Sequence, residues 1–271
     1  MGELTKSIIL GIVEGLTEFV PVSSTGHLLL CERWMGINLD EPFWKMFTVF
    51  IQIGAILAVV VYFRHKIVQL ISGSVSGNTT AQRVTMMVIV GTLPVLAVGY
   101  LFHKWVERHM ERPLPIALAL LIGGLIMMAV EWARPGTNTP RVEHLTWGQA
   151  IGIGLAQILA VIFPGTSRSG ATIIAGMIGG LSRPAAAEFS FLLAIPAMAA
   201  ASGYSLLKGA HGMNGGQMTL LLAGTLVSFL VAWAVIAVFM EYIRKRTFMP
   251  FGVYRIALGI VVLIVMRRAL S

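Results

Sequence analysis

The sequence alternates long apolar segments with short polar ones, and this pattern limits the fold more than any other feature. Apolar runs of about 20 residues recur near 43–63, 84–102, 114–132, 185–207, 218–240 and 251–266. As a helix, a run of that length crosses a hydrocarbon core about 30 Å thick. Only 12% of the residues are charged and the mean hydropathy is +0.82, whereas about a quarter of a soluble domain is charged. The sequence therefore predicts an all-α polytopic membrane protein.

The basic residues form short clusters at the ends of apolar runs, as in Arg64-His65-Lys66 and Arg244-Lys245-Arg246. Such clusters most often anchor membrane helices at the lipid headgroups. The net charge of +8 therefore indicates contact with a membrane, and we expect no nucleic-acid partner. The single cysteine, Cys31, excludes an internal disulfide.

Two acids interrupt the first apolar segment, in the stretch EGLTEFVPVSSTGH that begins at Glu14. Glu14 and Glu18 are four residues apart, so they share one face of a helix. Pro21 ends that helix, because proline lacks an N–H and clashes with the preceding turn. We expect two short helices, over 4–20 and 23–36, that form a re-entrant hairpin. A membrane tolerates such a hairpin only where protein surrounds it.

The other half of the chain predicts a second hairpin. Residues 147–163 are apolar, the stretch FPGTSRSGAT covers 163–172, and a short apolar segment then runs to about residue 181. A shift of 143 positions places Pro21 on Pro164, Ser24 on Ser167 and Thr25 on Arg168. Farther along, GTL at residues 91–93 resembles GTL at 224–226.

We therefore predict one membrane domain, residues 1–271, built from two repeats over about 1–135 and 147–271. Each repeat has a hairpin and three transmembrane helices, and a polar segment over 133–146 separates them. Because three spans is an odd number, the second hairpin enters the membrane from the opposite side, which gives inverted-topology repeats. The broken helices then aim N-terminal N–H groups at a shared site near the midplane, where they favour an anion.

Glu14 and Glu18 are candidates for a functional pair, because two acids on one face repel unless a cation or a shared proton joins them. One interpretation is a divalent-metal site, for which oxygen ligands suit Mg²⁺ or Ca²⁺. The others are an acid–base pair and a structural pair satisfied by backbone groups or arginine.

Ser24 and His27 are three residues apart and would lie on one side of the second short helix. Ser24 could be a nucleophile if a base lies within hydrogen-bond reach. Ser23 or Ser24 could instead cap the helix. His27 could be the base, a general acid, or the holder of a simple polar contact.

Arg168 is the most informative single residue, because it sits in a Gly/Ser/Thr loop at membrane depth. A guanidinium beside a run of loop N–H groups binds phosphate. The alternative is a structural Arg–Glu pair between the halves. The residues that we expect to contact a bound phosphate are Ser23, Thr25, Gly165, Thr166, Ser167, Ser169, Gly170 and Thr172.

These two stretches, with AEFSFLLAIP at residues 187–196, closely resemble the signature motifs of the bacterial undecaprenyl-diphosphate phosphatases, the bacitracin-resistance family. The resemblance covers essentially the whole chain and departs at Thr48, where the family often has an acid. It implies an inner-membrane enzyme that removes the terminal phosphate of undecaprenyl diphosphate, recycles the lipid carrier for peptidoglycan synthesis and confers bacitracin resistance. It also implies a divalent cation and a site that opens to the periplasmic side.

Carried over position by position, the resemblance makes Glu14, Glu18, Ser24, His27 and Arg168 catalytic. On this hypothesis Glu14 and Glu18 hold a metal on the diphosphate, and Arg168 clamps it. Ser24 attacks the terminal phosphorus or orients a water, and His27 moves the proton.

A lipid-phosphate flippase is the alternative function, because secondary transporters also combine inverted repeats, broken helices and a central anion site. The cluster of acids, serine and histidine favours hydrolysis, since transport needs no nucleophile. A dual role and a purely structural scaffold are the remaining alternatives, and the scaffold leaves the buried charges unexplained. The oligomeric state is open, with a homodimer among the candidates.

Overall fold

The computed structural model describes residues 1–38, 41–102, 113–133, 137–209 and 213–267. Within these ranges the chain is helical, with one short 3-10 helix at Val142–His144 and no strand. The helices are α1 Glu3–Thr17, α2 Ser24–Trp34, α3 Pro42–Phe50, α4 Gln52–Tyr62, α5 Arg64–Val75, α6 Thr79–Leu101, α7 Pro113–Ala133, α8 Trp147–Ile162, α9 Arg168–Ile178, α10 Arg183–Gly209, α11 Gly215–Lys245 and α12 Met249–Arg267. Residue 135, the expected end of the first repeat, and residues 268–271 lie outside the described ranges.

Helical segments long and apolar enough to cross a membrane confirm the polytopic all-α prediction. Among the described residues they are Pro42–Tyr62, Thr79–Leu101, Pro113–Ala133, Arg183–Lys208 and Gly215–Lys245. The sixth predicted span falls in α12, whose apolar part Met249–Val265 is shorter. The first span is broken at Ile51, where α3 ends and α4 begins.

Polar contacts gather several helix ends at one face of the molecule, which we call the ion-paired face. Glu131, near the end of α7, accepts two hydrogen bonds from Arg183 at the start of α10, at 2.7 and 2.6 Å. It also accepts the Phe248 N–H just before α12 at 2.8 Å. Lys66 at the start of α5 pairs with Glu143 and, at 3.0 Å, with Glu188 on α10. Glu188 therefore belongs to this face.

Two glycine crossings connect the first part of the chain to the second. Helix α1 packs on α11, and a β-carbon on Gly11 would lie 2.5 Å from the Gly224 carbonyl oxygen. Helix α8 packs on α6, and a β-carbon on Gly154 would lie 2.3 Å from the Gly91 carbonyl oxygen. Each hairpin thus crosses a span of the other half at a glycine of one of the two GTL stretches. This recurrence supports a repeat, while its inverted orientation stays a prediction.

Both hairpins break at a serine in the same unusual backbone conformation. Ser23 has φ 73° and Ser167 has φ 69°, and no other non-glycine residue in the described ranges has a positive φ. Each caps the next helix: the Ser23 side chain accepts from Gly26 N–H and that of Ser167 from Gly170 N–H. The predicted alignment of the two halves by a shift of 143 positions is therefore wrong after Pro21 and Pro164. The cap residues Ser23 and Ser167 are 144 positions apart, because the second hairpin loop has one more residue between its proline and its cap. Ser24, not Thr25, is the counterpart of Arg168.

Candidate functional site

The site lies where the two hairpin loops touch. Ser169, on the first turn of α9, donates from its hydroxyl to the carbonyls of Glu18 and Val20, at 3.3 and 3.2 Å. Ser169 is fully buried. Residues about 150 positions apart are therefore neighbours, as the meeting of the hairpins predicts.

Glu18 is the centre of the cluster. Its Oε2 accepts a hydrogen bond from Ser24 Oγ at 2.6 Å, and its Oε1 lies 3.4 Å from Arg168 Nη2. All three side chains are largely buried, and Glu18 is only 8% exposed. A charged carboxylate at that depth needs such partners. The contact gives Ser24 a base within hydrogen-bond reach, as a serine nucleophile requires.

Glu14 lies one helical turn before Glu18 and is fully buried. The prediction that the two acids share a face is confirmed, since Glu18 N–H donates to the Glu14 carbonyl at 2.9 Å and so extends the helix. Neither Glu14 carboxylate oxygen has a hydrogen-bond partner among the described residues. Two orphaned oxygens at membrane depth call for a cation or a proton.

These two carboxylates fit a hard divalent cation, although the described residues contain no group of three His, Cys, Asp or Glu side chains that could hold a metal. Mg²⁺ commonly takes one or two carboxylates and completes its shell with waters and substrate phosphate oxygens. Glu14 offers two free oxygens, whereas those of Glu18 already face Ser24 and Arg168. Glu14 is therefore the more available ligand.

Arg168 is the first residue of α9, as the loop pattern predicts. Its Nη1 donates to the Ser190 carbonyl at 3.2 Å, and its guanidinium carbon lies 5.4 Å from the centre of the Phe19 ring. Its Nε has no hydrogen-bond partner among the described residues. One buried N–H of a rigid fork at the start of a helix thus lacks a partner, an arrangement that suits a phosphate oxygen.

His27 makes polar contacts, which is one of the alternatives that the sequence left open. Its Nδ1 lies 2.7 Å from the Ser23 carbonyl, and its Nε2 lies 2.7 Å from the Tyr254 hydroxyl. Because a carbonyl only accepts, Nδ1 carries the proton and a neutral ring accepts from Tyr254 at Nε2. The two rings also stack, 5.6 Å apart. His27 is therefore engaged elsewhere, and the nearest base to Ser24 is Glu18.

The remaining candidate residues shape the loops. Ser23 and Ser167 are helix caps, and the Thr166 hydroxyl donates to the Phe163 carbonyl at 2.7 Å. Gly165 needs its lack of a side chain, because its φ is 91° and a β-carbon would lie 2.7 Å from the Ile116 carbonyl oxygen. Thr25 is half-buried in the first turn of α2.

Two further candidates brace α9. Thr172 Oγ1 lies 2.6 Å from Ser190 Oγ, so it links α9 to α10. The Gly170 N–H donates to Oγ of the cap residue Ser167 at 3.1 Å.

Thr48, the point of departure from the family pattern, donates from its hydroxyl to the Trp44 carbonyl of its own helix at 2.6 Å.

Sequence reasoning missed three residues, namely Ser190, Tyr254 and Arg255. Ser190 and Tyr254 carry no distinctive pattern, since isolated hydroxyls are common in membrane helices. Arg255 did carry a signal, because it places a charge inside an apolar run, and ionisable groups at that depth are functional candidates.

The chain matches a family model described as "Bacitracin resistance protein BacA" over residues 7–261. Among similar curated proteins, an undecaprenyl-diphosphatase of Sorangium cellulosum is 45% identical, over 95% of this chain and 84% of its own length. One of Koribacter versatilis is 43% identical, over 97% and 98%. The "Undecaprenyl-diphosphatase 3" of Acinetobacter baylyi is 42% identical, over 97% and 98%.

Proposed function

The chain belongs to the BacA family of bacitracin resistance proteins, and we propose that it hydrolyses undecaprenyl diphosphate to undecaprenyl phosphate and inorganic phosphate. It is a multi-pass membrane hydrolase, which suits a substrate anchored in lipid. The reaction regenerates the carrier on which peptidoglycan precursors are built. It also removes the diphosphate that bacitracin sequesters, which accounts for resistance.

The observation that carries this proposal is the contact between Ser24 Oγ and Glu18 Oε2, beside Arg168. In the proposed reaction Ser24 Oγ attacks the terminal phosphorus while its proton passes to Glu18. The bond from that phosphorus to the bridging oxygen breaks, and undecaprenyl phosphate leaves with the electron pair. Water then cleaves the phosphoserine to inorganic phosphate, and Glu18 returns the proton to Ser24 Oγ.

Arg168 and the start of α9 would bind the transferred phosphate. Phosphoryl transfer depends mainly on positioning and on stabilising charge over the phosphate oxygens. The Nε–H of Arg168 has no hydrogen-bond partner among the described residues, and Arg168 is itself the first residue of α9, which supports this role. The buried setting strengthens each of these interactions, because little water screens them.

Glu14 and Glu18 would hold a divalent cation, and Glu14 is the ligand with both oxygens free. When bound, such a cation neutralises charge on the diphosphate. His27 in this proposal orients the loop through the Ser23 carbonyl, and Glu18 takes over the proton transfer that the sequence assigned to His27.

The site would open to the periplasmic side of the bacterial inner membrane. This orientation rests on the resemblance of the two hairpin stretches to the family. The flippase alternative is not favoured, since transport gives no reason for a serine hydroxyl 2.6 Å from a carboxylate.

The test is phosphate release from a C55 or C15 isoprenyl diphosphate by the detergent-purified protein, with and without Mg²⁺ or Ca²⁺. Release should collapse in Glu18→Gln and in Arg168→Ala. Glu143→Gln is the matched control, because it makes the same substitution at the ion-paired face, and it should keep wild-type release. A folded wild type that binds the lipid but releases no phosphate would refute the phosphatase.

A further inference from the structure

Arg255 is the largest fully buried side chain in the described part of the molecule, with 1% of its surface exposed. Its hydrogen bonds all go to backbone carbonyls. Nη1 donates to Pro21 at 3.3 Å, and Nη2 lies 2.8 Å from Thr166, 3.3 Å from Gly165 and 3.1 Å from Ala119. Burying a guanidinium that has only carbonyl partners is costly, so packing alone does not explain an arginine here.

Three of the four bonded carbonyls belong to the loops of the two hairpins, and the fourth, that of Ala119, belongs to α7. Pro21 lies in the loop between α1 and α2, and Gly165 and Thr166 lie in the loop between α8 and α9. One rigid fork on α12 therefore fixes the spacing between the loop that follows Glu18 and the loop that precedes Arg168. Lysine has the charge without the planar fork and cannot reproduce these bonds.

The bond to the Thr166 carbonyl also sets the direction of an N–H group. In a trans peptide the carbonyl and the following N–H point in opposite directions. Because the Thr166 carbonyl points to Arg255, the Ser167 N–H points away from Arg255. The next two N–H groups, those of Arg168 and Ser169, have no partner within the helix, whereas the Gly170 N–H donates to Ser167 Oγ. Together with the Ser167 N–H, these two provide donors for a phosphate.

We propose that Arg255 is a positioning residue of the phosphatase site, which holds the loops of both hairpins in register through the carbonyls of Pro21, Gly165 and Thr166. Arg255 does not touch the substrate. It keeps the N–H groups of the second loop aimed at the phosphate and keeps Arg168 next to Glu18. This inference rests on the proposed function.

Two variants test the proposal by different routes. Arg255→Lys removes the fork directly. Gly123→Ala displaces it, because a β-carbon on Gly123 would lie 2.3 Å from Arg255 Nη2. Each has a matched control: Arg183→Lys removes a fork at the ion-paired face, and Gly152→Ala adds a β-carbon with no atom within 4 Å. If Arg255→Lys does not fold, Gly123→Ala carries the test.

Two quantities are measured and normalised to the amount of folded protein. One is phosphate release from the isoprenyl diphosphate, and the other is binding of inorganic pyrophosphate by calorimetry. Misplacing reacting groups by about 1 Å can cost on the order of 10²-fold, so we expect kcat to fall about 10- to 100-fold in both test variants. KM, to which the lipid tail contributes, should change less than about 3-fold. Pyrophosphate, which has no tail, should bind about 10-fold more weakly. Both controls should match the wild type in kcat and pyrophosphate affinity.

The proposal is overturned if folded Arg255→Lys and Gly123→Ala keep the kcat and the pyrophosphate affinity of the wild type. It is also overturned if their losses in kcat and affinity are no larger than those of Arg183→Lys. If the wild type itself releases no phosphate, the proposed function fails. In that case the comparison of pyrophosphate affinity between the wild type and the two test variants decides by itself whether Arg255 positions the anion site.

Discussion

Ser24 is the residue whose chemistry the structure specifies most closely, because its Oγ donates a hydrogen bond to Glu18 Oε2 at 2.6 Å. On the proposed mechanism, Ser24→Ala should lower kcat on the order of 10³-fold, since it removes the proposed attacking oxygen but leaves the proposed phosphate-binding groups. The direct measurement is a single turnover followed by acid quench and analysis for phosphoserine. A phosphoserine at residue 24 is expected in the wild type. A single turnover that releases inorganic phosphate with no phosphoenzyme would limit Ser24 to orienting the water.

Tyr254 supplies a second prediction at this scale. Tyr254→Phe removes the donor to His27 Nε2 but keeps the stacked ring. We expect a fall in kcat of about 2- to 10-fold, because one hydrogen bond to a neutral ring contributes about 1 kcal/mol. Combined with His27→Gln, the loss should not add, since both changes break the same contact. Additive losses in the double variant would show that Tyr254 acts apart from His27.

The sequence was sufficient for side chains whose chemistry is conspicuous. Glu14, Glu18 and Arg168 stood out because charges are rare at membrane depth, and the structure brings Glu18 and Arg168 together. The role of His27 was not predictable in the same way. Residues three apart share a helix face, but only the position of α12 reveals that Tyr254 occupies Nε2.

Helix α8 contains a matched pair of glycines that tests how the elements cross. Gly154→Ala would place a β-carbon 2.3 Å from the Gly91 carbonyl oxygen, whereas Gly152→Ala meets nothing within 4 Å. Overpacking of this kind typically costs about 1–3 kcal/mol. We expect Gly154→Ala to lower the melting temperature by about 3–10 °C in detergent. Equal melting temperatures for the two variants would mean that α8 and α6 are not closely packed.

Element positions followed well from the sequence, because apolar run length and proline placement are local signals. The hairpin breaks and the spans lie within a few residues of their predicted bounds. The alignment of the two loops did not follow, because Ser23 and Ser167 correspond through a positive φ that residue letters do not encode. The bracing of both loops by Arg255 also depends on tertiary packing.

For the whole molecule, the ion-paired face predicts how stability depends on pH. Burial is the largest single influence on the pKa of Glu143 and acts to raise it. The hydrogen bond from Lys66, a backbone hydrogen bond and the charges of Lys66 and Arg141 together outweigh burial and lower that pKa below its ordinary value. Burial acts to lower the pKa of Lys66, but its contacts with Glu143 and Glu188 together outweigh burial. The pKa of Lys66 is therefore raised above its ordinary value. The Glu143 contribution is therefore present above the ordinary carboxyl pKa, about 4.3, and is lost as pH falls through the lowered value. The Lys66 contribution is lost only as pH rises through a pKa above about 10.4.

The measurement is the melting temperature of wild type and Glu143→Gln from pH 3 to pH 9. The wild type should melt higher, by an amount that is constant from about pH 5 to 9 and vanishes toward pH 3. The difference should also shrink in high salt, because the pair is partly exposed. If the difference in melting temperature persists unchanged at pH 3, the ion pair with Lys66 is not the source of the stability that Glu143 contributes.

The shared cap geometry of the hairpins has a consequence for how such a molecule can be assembled. The position that follows the strained serine holds a hydroxyl in one hairpin, at Ser24, and a guanidinium in the other, at Arg168. A symmetric pair of first halves would bring two hydroxyls and no cation to the centre, and a pair of second halves would do the reverse. In the proposed mechanism, attack and anion recognition are therefore divided between unlike halves, so one reaction centre needs both halves.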